Sequence, residues 1–330
     1  MTTATHMLPR DMQETNERRF SKRHIDEYLD KEIRNNPETE AQVHDGVQRL
    51  QTWLGKSYYE TKNNRLSQLQ GVDLEEIVRT IFINVAYCQL PELFTSVTGQ
   101  LAGALKMSEK AHGIITIGEM LAVLCLTDAF DILKADRSAS LVIQSRIPLS
   151  DRLLAFVHQT RYLPPMVCEP EELTTNHESP YLTHNDSLVL GSGNSHSEDI
   201  CLDVINLQNK VALSLDLEFL CTREEEPSKP ITVEAIQARA LKDGEPLTRP
   251  QAAELMREQQ DAWDRFKQQS YETYHLLATQ GNRFWLHNKV DKRGRLYAQG
   301  YHVSTQGSAF KKSMIEFADP ELVTGVPTSV

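Results

Sequence analysis

The sequence predicts a mainly α chain. It reads as a helical N-terminal domain over 1–161, a small β element with a helix over 162–230, a long polar helix within 231–282, and short strands over 283–330. Three observations carry this. Apolar residues recur at three- and four-residue spacing through most of the first 160 residues. Prolines, then Ser, Asn and Thr, crowd the stretch 162–194, a composition that favours extended backbone and turns. Between 251 and 280 only Met256, Trp263, Phe266, Tyr274 and Leu277 form an apolar stripe, thin for a helix of that length.

Residues 1–16 are polar and read as a mobile tail. Phe20, Ile25, Tyr28, Leu29 and Ile33 then share a helical face. After Pro37 the face continues through Val43, Val47, Leu50 and Leu54. Asp73 and Glu76 make a start resembling a capping box before Ile77, Ile81 and Val85. Pro91 opens a helix with Phe94, Val97, Leu101 and Leu105. Ile114 to Lys134 predicts a further buried helix, and Ser150 caps one that reaches Arg161. The apolar run Ile114 to Leu126 contains Glu119 and is too short to span a bilayer.

The texture changes at Tyr162. Pro164, Pro165 and Pro170 force extended backbone. A hairpin through Tyr181 and Leu188-Val189-Leu190 is expected, then a helix from Glu198 to Cys221. Glu224 to Pro230 reads as a linker, and Lys242 to Pro250 as a second helix-poor patch after a short helix. The five cysteines show no metal-ribbon spacing, and most read as reduced core residues. Their odd number and the lack of a secretory signal predict a cytoplasmic protein.

Charge is the sharpest signal. The chain carries −11, yet Arg283 to Lys312 holds seven Lys/Arg against Asp291 alone. That window is +6 and the remainder is therefore −17. One basic patch on an acidic body is the footprint of a polyanion site, although charges that protect an edge strand would look the same. Arg293-Gly294-Arg295 is its centre: glycine lets backbone approach a phosphate, and guanidinium groups bind phosphate oxygens in pairs. Tyr297 adds a flat surface for a base or sugar. Other patterns carry no chemistry. His44-Asp45 sits on an amphipathic helix, Asp186 to Gly191 reads as a loop, and Gly191-Ser192-Gly193 as a turn. No histidine spacing suits a metal, and Asp216 and Glu218 would diverge on a helix.

The stretch Asp291-Lys292-Arg293-Gly294-Arg295-Leu296-Tyr297 resembles the D-x-R-G-R motif that opens the palm in the single-subunit RNA polymerases of phages and mitochondria. Gln306-Gly307, Met314 to Ala318 and Trp285 stand in matching places. Lys289 stands where the family commonly has Asn, and Ala309 where it has Asp. Upstream, the Pro-rich segment and the helix Val204-Ile205-Asn206-Leu207-Gln208-Asn209 resemble family elements in the same order, with one residue fewer between Asn206 and Gln208.

The resemblance implies a thumb over 231–282 and the first strands of a right-hand palm over 283–330. It implies nucleic-acid contacts from Lys289, Lys292, Arg293, Gly294, Arg295, Tyr297, Gln306, Gly307, Lys312, Asn206 and Asn209. The family's magnesium-binding aspartates follow this segment and have no counterpart up to Val330. The expected protein is thus the smaller, N-terminal subunit of a split bacteriophage polymerase, with Met1 and Val330 as natural ends. It would act in the infected cell as a heterodimer on template DNA and nascent RNA. A partner subunit would bring fingers, catalytic palm and Mg2+, and a single-stranded-DNA-binding factor could recruit the enzyme. The alternative is a helical nucleic-acid-binding or regulatory protein without enzymatic activity.

Overall fold

The computed structural model describes residues 8–105, 107, 110–135, 140–159, 162–191 and 194–320. The chain divides into two compact units, one built mainly of Arg18–Arg161, the other of residues up to Glu17, Tyr162–Leu190 and the chain from Asn194 onward. The described residues are mainly helical, with small sheets.

Helix α1 (Pro9–Phe20) opens the described chain, with its residues up to Glu17 in the other unit; the first unit holds α2 (Lys22–Asn35), α3 (Pro37–Leu54), α4 (Glu60–Leu66), α5 (Leu74–Ala86), α6 (Phe94–Ala104), α7 (Lys110–Leu124) and α8 (Asp151–Gln159). Their starts follow the sequence signals. Asn36 caps α3 by accepting from the Glu38 and Thr39 amides, with Pro37 at the first position, and Asp73 caps α5 through the Glu75 amide. The apolar faces close one core around Ile25, Leu29, Val43, Leu50, Ile81, Phe82, Leu121 and Phe130.

This unit is not all helix, contrary to the sequence expectation. Strands β1 (Glu92–Leu93), β2 (Phe130–Lys134) and β3 (Leu141–Ser145) form an antiparallel sheet in the order β1-β3-β2. The helix expected over Ile114 to Lys134 ends at Leu124. A single 3-10 turn follows, and Asp128 adopts the left-handed φ of 62° that an Asp tolerates. The apolar run then continues as a strand, with Ile132 paired to Ile143. Pro91 likewise precedes β1, and the helix begins only at Phe94.

In the second unit the order is α9 (Leu202–Asn209), β4 (Leu213–Leu215), α10 (Leu217–Thr222), α11 (Val233–Lys242), α12 (Arg249–Thr279), β5 (Asn288–Val290), β6 (Leu296–Ala298), α13 (Ala309–Ser313) and β7 (Ile315–Phe317). The 31-residue α12 opens with a Thr248–Gln251 capping box and buries only Ala252, Ser270, Tyr274 and Leu277. The helix expected from Glu198 to Cys221 is broken into α9, β4 and α10. The cause is non-local, because Leu213 to Leu215 pair with Ile315 to Phe317, about a hundred residues away. Cys201 and Cys221 are exposed and only Cys88 is buried, so the cysteines are not mostly core residues.

No hairpin joins Tyr181 to Leu188–Leu190 among the described residues. Leu188 and Leu190 instead bracket Val290 through its amide and carbonyl, at 2.9 and 2.7 Å. The start of the chain is also not a loose tail: it is helical from Pro9, and residues 1–7 lie outside the described residues. The polar side chains there are buried because an irregular segment lacks ladder partners of its own. Gln13 accepts from the Val167 amide at 2.8 Å. Glu17 accepts from the amides of Leu182 and Thr183 at 2.9 and 2.8 Å and from the Thr183 hydroxyl.

Gly300 illustrates how tightly this unit is drawn. A Cβ there would collide with the carbonyl oxygen of Val303 and sit 3.4 Å from Leu286. Gly300→Ala should therefore destabilise the unit by about 1–3 kcal/mol, the usual cost of overpacking against backbone. Chemical denaturation of both proteins checks this, and an unchanged midpoint would show that the 299–304 loop yields freely.

Candidate nucleic-acid interface

The D-x-R-G-R stretch folds as the turn of the β5–β6 hairpin. Asn288, Lys289 and Val290 pair with Ala298, Tyr297 and Leu296. The Asp291 amide donates to the Arg295 carbonyl and the Gly294 amide to the Asp291 carbonyl, each at 2.9 Å. Gly294 turns the chain with φ 79°, a conformation that favours glycine. The Asp291 carboxylate organises the rest. Its Oδ1 accepts from the Arg293 and Arg295 amides at 2.9 and 3.0 Å. Its Oδ2 accepts from Nε and Nη2 of Arg295 at 2.8 and 2.6 Å. Burial raises the Asp291 pKa, but these Arg295 contacts win and hold it below the usual carboxylate range.

The two arginines therefore differ. Arg295 is braced against Asp291, with its guanidinium 5.7 Å from the centre of the half-buried Tyr297 ring. Arg293 approaches Asp291 only at 3.5 Å and its side chain is 73% exposed. Lys292 and Lys312 are also exposed. The other cations of the basic window are occupied: Arg283 pairs with Asp319 at 2.6 and 2.7 Å, Lys289 pairs with Asp186, and the half-buried Lys311 donates to the Tyr301 carbonyl. Asp186 and Asp319 lie outside the window whose charge was counted, so its effective excess is concentrated on Lys292, Arg293 and Lys312.

The remaining sequence candidates fall into two groups. Gln306 is bonded against β6, donating to the Leu296 carbonyl and accepting from the Ala298 amide; it braces the strand's outer edge. A Cβ on Gly307 would meet the Lys311 stem at 2.8 Å, so this glycine lets that side chain lie close. Asn206 and Asn209 are buried on α9. Asn206 accepts from the Leu173 amide at 2.9 Å and donates to the Leu173 carbonyl at 2.8 Å. Asn209 Oδ1 accepts from the Asn288 amide and side chain at 2.9 and 3.0 Å. That link, with an apolar cluster of Leu173, Leu188, Val189, Ile205 and Val290, brings the α9 motif and the hairpin motif together.

Sequence reasoning missed His287, which lies just before β5. The residue is 2% exposed, and its ring faces Tyr181 edge-on at 5.5 Å and finds no hydrogen-bond partner for either nitrogen among the described residues. Burial, with Lys289 adding to it, lowers its pKa to about 3, and the opposing pull of Asp186 is smaller. The unfolded ring titrates near 6.5. Its contribution to stability is therefore complete above that pH and is lost progressively as pH falls toward 3. By pH 5 the loss should reach about 2 kcal/mol. Replacing His287 by Phe should flatten the difference in stability between pH 7 and pH 5, measured by denaturant titration. An identical pH response in the variant would place the acid sensitivity elsewhere.

No known family model matches this sequence, and no curated protein is significantly similar to it. No described helix is long and apolar enough to cross a membrane.

Proposed function

We propose that this chain is the nucleic-acid-holding subunit of a two-polypeptide, single-subunit-type RNA polymerase. The carrying observation is the convergence of two motifs about 80 residues apart: Asn209 of α9 is hydrogen-bonded to Asn288 at the foot of the D-x-R-G-R hairpin. In this reading Lys292 and Arg293 at the hairpin tip hold phosphates of template and hybrid. Asp291, Gly294 and Arg295 shape the tip, and Asn206 and Asn209 seat it on the body. Phosphate contacts of this kind position the strands and carry no sequence information. Helix α12, long and thinly packed, is the thumb. The partner polypeptide supplies fingers and the aspartates that hold two magnesium ions, which activate the 3′ hydroxyl and stabilise the leaving pyrophosphate. Among the described residues β7 pairs only with β4, and its Phe317 is 70% exposed. An open edge with an exposed aromatic suits strand addition from that partner.

The test is primer extension on an RNA–DNA scaffold. The chain alone should bind the scaffold but make no product with magnesium. Co-expression with a polypeptide carrying D-x-S-x-x-G and a later H-D pair should give template-directed RNA. Products from the chain alone would overturn the division of labour. Scaffold binding without RNA synthesis in any pairing would leave a non-enzymatic nucleic-acid-binding module.

A further inference from the structure

A cavity of about 650 Å³ lies beside the hairpin turn, within the range of about 300–1,000 Å³ typical of small-ligand sites. Val204 and Ile205 of α9 form one apolar wall, Val290 and Leu296 of the hairpin another. Lys292 and Asp199 also line it and are themselves exposed, so they stand at its mouth. We propose that this cavity receives one nucleobase of a single strand whose neighbouring phosphates lie on Lys292 and Arg293. The inference rests on the nucleic-acid reading above and adds the element that reading lacks, a place for the base.

Three features select a nucleobase. The walls are aliphatic, and a flat ring inserted between α9 and the hairpin gains van der Waals contact from both sides. Lys292 stands at the opening, where the backbone of an inserted nucleotide would remain, and Arg293 follows it in the chain. At the same opening, Asp199 Oδ1 accepts from the Cys201 amide at 2.7 Å, and its other oxygen has no donor among the described residues. A carboxylate there accepts from a ring imino or exocyclic amino group, as base-edge recognition requires. An apolar peptide side chain would fit the walls but would use neither Lys292 nor the Asp199 carboxylate. The site is also preformed: Asn206 and Asn209 fix α9 to Leu173 and Asn288, and the Leu188 and Leu190 hydrogen bonds fix Val290. Preorganisation of this kind reduces the ordering cost of binding.

The experiment compares eight-nucleotide oligothymidine with an abasic oligomer of equal length and charge, using the whole chain and two variants. Val204→Met narrows the cavity from a position 45% exposed without adding an aromatic ring, so the core is spared. Asp199→Asn keeps the hydrogen bond from the Cys201 amide and removes the charge. The wild-type chain should prefer the oligomer with bases by about tenfold, the worth of burying one flat ring against apolar walls. Val204→Met should reduce that preference while leaving abasic binding and its salt dependence unchanged, and Asp199→Asn should reduce it as well. Equal binding of both oligomers by the wild type, or a preference unchanged in both variants, overturns the base pocket and leaves the phosphate grip standing. Failure of the wild type to bind either oligomer overturns both.

Discussion

Replacing Arg79 by alanine is expected to cost the unit containing it about 2–3 kcal/mol, the result of losing a buried guanidinium that ties together two partly exposed carboxylates. Arg79 projects from α5 with its side chain 6% exposed. Its two terminal nitrogens hold both Glu40 oxygens on α3, at 2.5 and 2.8 Å, and Nε and Nη2 hold Glu75 at 2.9 and 2.8 Å. The fork geometry is why lysine would not substitute. Glu40 and Glu75 are 26% and 44% exposed, so solvent moderates the loss and keeps it below the range of about 3–5 kcal/mol that holds for fully buried pairs. The Arg79 hydrogen bond holds the Glu40 pKa below its ordinary value, so this stability is present above pH 4.5 and is lost as pH falls through the lowered pKa. Two compact units call for resolving two unfolding transitions before assigning the change. A double-mutant cycle with Glu40→Gln should return a coupling of more than about 1 kcal/mol. Coupling near zero would mean that Arg79 acts through its aliphatic packing alone.

Removing Lys292 and Arg293 together should weaken binding of an RNA–DNA hybrid by at least about a hundredfold at low salt, since each charge-assisted hydrogen bond contributes about 1.5–3 kcal/mol. Folding should be unchanged, because both side chains are exposed and neither braces the turn. Arg295→Ala should behave in the opposite way. It removes the two guanidinium hydrogen bonds to Asp291 and should lower stability more than it lowers affinity. Hybrid affinity and thermal melting measured side by side separate the two roles. A stability loss in the Lys292/Arg293 double variant with unchanged affinity would mean that the tip is structural.

The helices of the first unit were legible because their signals are local: proline and Asn36 or Asp73 at the start, apolar residues on one face. The strands were not. Phe130 to Lys134 is apolar enough to extend a helix on paper, and only its pairing with Leu141 to Ser145 makes it a strand. Leu213 to Leu215 is the same case, with a partner still farther away. For the interface, the residues of the turn were legible as a motif, yet their division of labour was not. By residue type Arg293 and Arg295 have equal chemistry, and only the closed turn, by bringing Arg295 back onto the Asp291 carboxylate, separates their roles. Charge counting also overstated the patch, since Asp186 and Asp319 arrive from distant positions to pair with Lys289 and Arg283. Val204 at the cavity wall and the enclosed His287 left no trace in composition, because burial and enclosure are properties of the fold.

The measurement that bears most directly on the phosphate grip is the salt dependence of hybrid binding, wild type against the Lys292→Ala/Arg293→Ala double variant. Each neutralised phosphate releases condensed counterions, so the slope of log affinity against log salt should become shallower by about one for each phosphate no longer held, about two in all. The shift should be the same for scaffolds of unrelated sequence. A slope identical to that of the wild type, with the variant fully folded, would contradict the assignment of the hairpin tip as the phosphate-holding element.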